Sequence, residues 1–194
     1  MSTINDFKAA RRVSEISVAW TVGASIAAIA IGTIDGSGAL IVFGAIGFVD
    51  AIGSVALVHH FRHGLRHEEL SDRFEQRAHR IVRVGLLLVG VAAVATNLER
   101  LLAGSGSNAS VAAALLAGAS LVVLTILSRT KIRIAARVGS AALRADGHLS
   151  GVGAGQAAVV LGGLAVTAAF GWEWADAVTA IIVGFVAIGL STQG

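Results

Sequence analysis

The sequence predicts an all-α, polytopic membrane protein: a bundle of six transmembrane helices with the N- and C-termini cytoplasmic. Three observations carry that prediction. Apolar stretches recur at close to the roughly 20 residues a helix needs to cross about 30 Å of hydrocarbon. Hydrophobic residues make up 55% of the chain and charged residues only 14%, against about 25% charged in soluble domains, and mean hydropathy is +0.79. Positive charge also alternates with the apolar pattern. Lys8, Arg11, Arg12, the arginines of 62–83 and the 129–144 group fall on one side, leaving Arg100 alone on the other. Short loops carrying Lys and Arg stay in the cytoplasm, which fixes the orientation.

The spans are expected at about 16–34, 36–58, 84–103, 109–128, 147–170 and 175–191. The first follows Arg11-Arg12 but is too long for a secretory signal core of about 7–15 residues, so it reads as an uncleaved span, with Trp20 near its inner end. Ala24, Ala28 and Gly32 give it a small-residue face for close packing. Asp35-Gly36-Ser37-Gly38 forms a tight outer turn. The second span contains Asp50 and Ser54. The third is preceded by a mixed-charge, solvated extension and ends at Asn97, Glu99 and Arg100, with the Glu–Arg pair expected among headgroups. Gly104–Ser110 is a loop before the fourth span. Asp146, Gly147, His148 and Ser150 open the fifth, where Gly151 and Gly155 repeat the small-residue spacing. Trp172 and Trp174 mark an outer turn, where indole favours the interface. The sixth span ends close to the last residue, so a single transmembrane domain over 1–194 is expected, with no C-terminal soluble domain.

Several function classes are disfavoured. With no cysteine, disulfides and thiolate metal sites are impossible, and with no proline no span needs a proline kink. The pI near 10.5 does not point to nucleic acid, because the basic residues border spans instead of forming a stripe with interleaved aromatics. Lipid is the expected surround. No phosphate-binding loop occurs, nor a Ser/His/Asp set in a hydrolase context, so an enzyme is not expected. The preference for Arg over Lys, with abundant Ala, Val and Gly, points to a bacterium and hence to its inner (plasma) membrane.

Asp50 is the residue hardest to explain as decoration. It lies about eight residues, or about 12 Å, from the His59 end of its span. A carboxylate at that depth costs about 2.5–3.5 kcal/mol, so it must face the bundle and find a partner or a water path. Such a group is suited to exchanging a proton for a metal ion, or else it locks helices together. Ser54, one turn on along the same face, either packs, donates a hydrogen bond or lends an oxygen ligand. Asp146 either caps the fifth helix or joins His148 in handling metal or protons, imidazole and carboxylate being ligands that suit Zn²⁺. His60, His63 and His67 share one helical face, with His59 beside them, where the second span leaves the membrane. They form either a capture site for a divalent ion or part of an interfacial basic helix.

The order of short-looped spans, the string Gly47-Phe48-Val49-Asp50-Ala51-Ile52-Gly53-Ser54, the stretch Ser140-Ala141-Ala142-Leu143-Arg144-Ala145-Asp146 and the turn Gly171-Trp172-Glu173-Trp174-Ala175-Asp176 resemble the cation diffusion facilitator family over roughly Arg11 to Leu190. The resemblance implies a homodimeric cation-efflux antiporter that exchanges Zn²⁺ or a related divalent cation against protons at a site between spans two and five. It implies Asp50 as a metal ligand. Ser54 stands where the family has a second ligand, and His148 is one residue out of register with the span-five pattern. The family's cytoplasmic C-terminal metal-sensing domain is not expected here. The expected activity is therefore divalent cation transport through a degenerate metal site, with a non-transporting relative, a pseudo-transporter or assembly partner, as the alternative.

Overall fold

A computed structural model describes residues 2–64, 72–104, 106–108 and 110–192; within the helices, the side chains of 2–5, 7, 53, 56–57, 59–64, 72–79, 81–82 and 141–142 are outside the description. The described chain is all-helical: α1 Ser2–Asp35, α2 Gly38–Gly64, α3 Asp72–Leu102, α4 Val111–Val138, α5 Ala141–Phe170 and α6 Trp174–Thr192. Five of these contain stretches long and apolar enough to cross a membrane, and α2 contributes a shorter apolar stretch, Gly38–Ile52. Large apolar side chains such as Ile16, Leu88, Leu115, Ile126 and Phe185 are turned outward, as in a protein whose surround is oil. This is the architecture of a multi-pass membrane protein.

Several helices outrun the apolar segments that announced them, because hydropathy marks what lies in hydrocarbon whereas a nucleated helix propagates cheaply beyond it. In α1 the extension is supported by the pair Arg11–Glu15, 3.0 Å apart one turn along the helix, and by the buried Ala10 and Val13. Helix α4 continues past its expected end to Val138, and α5 starts earlier than expected, at Ala141. Only Gly139 and Ser140 separate them. Gly139 turns the chain at φ 69°, and the Ser140 hydroxyl accepts from the Leu143 amide to cap α5, a left-handed glycine stop followed by a serine start. The segment that reads as a basic loop is thus the tip of a helical hairpin.

Helices α1 and α2, α4 and α5, and α3 and α6 form the closest pairs. Further contacts join α1 to α4 and α2 to α5, closing a ring of α1, α2, α5 and α4, while α2 and α5 also touch α6. Small residues permit the approach. A Cβ added at Gly90 would lie 2.7 Å from the Gly184 carbonyl oxygen between α3 and α6, and one at Gly44 would lie 2.8 Å from the Ser25 carbonyl oxygen between α2 and α1.

One end of the bundle is clasped around the α1–α2 turn. Buried Asp176, in the first turn of α6, accepts from the Ser37 hydroxyl at 2.5 Å, the Gly38 amide at 2.7 Å and the Ala39 amide at 3.4 Å. These are the free N–H groups that open α2, so an anion there is favoured. Arg100 donates to the Gly36 carbonyl oxygen and Ser110 to the Asp35 carboxylate. Glu99 is exposed and Arg100 half-buried, the arginine being turned to the α1–α2 turn. Trp172 and Trp174 stack at 5.3 Å nearby.

Candidate functional site

Four helices each place polar side chains at one level inside the ring. From α4, Lys131 is wholly buried, with 0% exposure. Its ammonium lies 2.6 Å from Asp146 Oδ2 of α5 and donates to Ser17 Oγ of α1 at 2.7 Å and to Ser150 Oγ of α5 at 2.9 Å. An ammonium has three hydrogens, and here it has three partners. The other carboxylate oxygen, Asp146 Oδ1, accepts from Ser54 Oγ of α2 at 2.7 Å. The Ser150 hydroxyl in turn donates a hydrogen bond to the Asp146 carbonyl oxygen at 3.1 Å. Burying either charge alone is prohibitive. Paired and hydrogen-bonded, the two offset each other's desolvation. Gly147 makes room for the pairing, since a Cβ there would lie 2.8 Å from Ile132 and 3.2 Å from Lys131 Cβ.

Asp50 sits one turn along α2 from Ser54, toward the clasped end of the bundle. It is half-buried, lies within electrostatic reach of both Asp146 and Lys131, and makes no hydrogen bond or ion pair among the described residues. Instead it borders a cavity of about 50 Å³ whose polar lining includes Trp20, Thr21 and Ser25 of α1 and Gln156 of α5. A space of that size accommodates a few waters or a partly dehydrated ion. Trp20 Nε1 and Gln156 Nε2 are buried there without a protein partner. Buried donors are ordinarily paired, and these two N–H groups are hydrogen-bonding capacity that the protein itself does not use.

Asp50, Ser54 and Asp146 lie on the facing helices α2 and α5, with Ser54 making the hydrogen bond that was one of its expected uses. Asp146 is not a helix cap: Ser140 holds that position, and Asp146 enters the bundle nearly two turns further on, bound to Lys131. Ser54 is committed to Asp146. His148 is exposed on α5 while Asp146 and Ser150 are buried, because residues two apart on a helix face different ways, so it does not join them. The side chains of His60 and His63, and all of His67, lie outside the described residues. Among the described residues no group of three or more His, Asp or Glu side chains gathers as a metal would require. Trp20, placed by its sequence near a membrane surface, lines the inner cavity. Lys131, counted in the sequence among cytoplasmic charges, is the centre of the network. No protein-family model matches the chain, and no curated protein matches it.

Proposed function

We propose that the chain is a transporter that exchanges a small cation against protons across a bacterial inner membrane, working as a homodimer of six-span subunits with cytoplasmic termini. Asp50 takes up cation and proton in turn. The observation that supports this reading best is the contrast between two neighbouring carboxylates. Asp146 already has an ammonium and a hydroxyl on its oxygens, whereas Asp50 has neither and borders a cavity. An acid at that depth survives only if its charge is compensated, and a mobile ion or proton is the compensation open to it. The cargo implied by the family resemblance is a divalent cation, Zn²⁺ foremost.

A second reading is a non-transporting membrane module, and Lys131 is the observation that favours it, because a fixed ammonium stands beside the position where a metal ion would be held. Proteoliposomes of the full chain separate the two. Under an imposed pH gradient, wild-type vesicles are expected to move at least one of Na⁺, K⁺, Zn²⁺, Mn²⁺ or Cd²⁺, and Asp50→Asn to lose that flux while keeping its melting temperature in detergent. Wild-type vesicles inert towards every one of these ions would establish the module instead.

A further inference from the structure

Resting on the reading of Asp50 as the ion-binding group, we propose that Lys131 is a tethered counter-cation that limits the exchanged ion to a single positive charge, so that the cargo is a monovalent cation and not a divalent metal. The charges inside the ring are few enough to count. Asp50 and Asp146 contribute two negative charges and Lys131 one positive, and the three lie within electrostatic reach of one another. One negative charge is left over. One proton or one monovalent cation cancels it, so both halves of an exchange cycle pass through an uncharged interior. A divalent ion would leave the interior with a net positive charge where the dielectric is low, which is the costly case.

Lys131 has no easy way to step aside. Its ammonium is held by Asp146, Ser17 and Ser150 on two other helices, and vacating the site would strand all three. The cavity chemistry agrees with the charge count. Its lining offers hard oxygens from Asp50, Thr21 and Ser25, with no imidazole or thiolate, a set poor for Zn²⁺, while the Trp20 and Gln156 N–H groups beside them suit waters kept by a bound ion. The charge count decides between a monovalent ion and a hard divalent one. Gly47 keeps the Ser25 hydroxyl available, because a Cβ there would fall 2.3 Å from it.

The test varies the charge count and reads the preference. Proteoliposomes of the full chain, loaded with a pH-sensitive dye, are challenged with Na⁺, K⁺ or Zn²⁺, and the purified proteins are titrated calorimetrically with the same ions. Wild type is expected to show Asp50-dependent proton movement with Na⁺ or K⁺ and none with Zn²⁺. Lys131→Arg, which keeps the charge, is expected to retain that preference. Lys131→Met, with two negative charges, is expected to bind Zn²⁺ at least about tenfold more tightly than wild type. The double variant Lys131→Met with Asp146→Asn returns the count to one negative charge. It is expected to recover the monovalent preference, and it keeps the test open should Lys131→Met fail to fold. Zn²⁺ exchange through Asp50 in wild type, or a double variant that prefers Zn²⁺, would overturn the restriction and leave the exchanger reading standing. If no ion evokes Asp50-dependent flux in wild type, the exchanger reading falls and takes the restriction with it.

Discussion

At the scale of single residues, Lys131 and Asp146 illustrate why a buried ion pair specifies a structure more than it stabilises one. Each loses its hydration and recovers roughly that cost from the other. Removing one partner is another matter, since it strands a charge. Lys131→Met is therefore expected to lower stability in detergent by about 3–5 kcal/mol, and the double variant Lys131→Met with Asp146→Leu to regain most of it, read as melting temperature. Ser54→Ala, which deprives a charged oxygen of a hydroxyl, is expected to cost about 1.5–3 kcal/mol. Lys131 was legible in principle. Buried positions on α4 run Ala113, Ala117, Ser120, Leu124, Leu127, Lys131 and Ile134, an unbroken spacing of three and four. The surrounding arginines hid it, because a basic cluster after an apolar run reads as a membrane boundary. Asp50 and Ser54 were readable because both interrupt an apolar run one turn apart. The partner of Ser54 was not, since that depends on a helix distant in sequence.

At the scale of elements, number and order were plain in the hydropathy pattern, while helix ends were set by capping residues that hydropathy does not weigh. Ser110 and Ser140 start helices, and Gly139 and Gly171 stop them. Which helices pair was encoded in glycines whose role only contact reveals. Gly90→Ala would press a methyl group against the Gly184 carbonyl and is expected to cost about 1–3 kcal/mol through strain. Gly155→Ala, with open space at its Cβ position, is the control expected to hold or raise the melting temperature. Asp176→Ala strips the Gly38 and Ala39 amides and the Ser37 hydroxyl of their acceptor. It is expected to cost about 1–2 kcal/mol, as loss of a helix cap does.

At the scale of the whole molecule, the α1–α2–α5–α4 ring encloses the charged network, and the α1–α2 turn is held at one end by residues from α3, α4 and α6. Orientation in the membrane is directly measurable, because the chain has no cysteine. Single cysteines at Asn108 and at Arg144, both exposed, are expected to react with an impermeant thiol reagent from opposite faces: Asn108→Cys from outside intact cells and Arg144→Cys only after lysis. Labelling of both from one face would refute the up-and-down course. The buried ammonium has a practical use as well. The chain has two lysines, Lys8 at the surface and Lys131 fully enclosed. An amine-directed acylating reagent should therefore tag Lys8 at once and spare Lys131 until the helices separate. Mass spectrometry of the two peptides would then report, in any detergent or lipid, what fraction of molecules is intact.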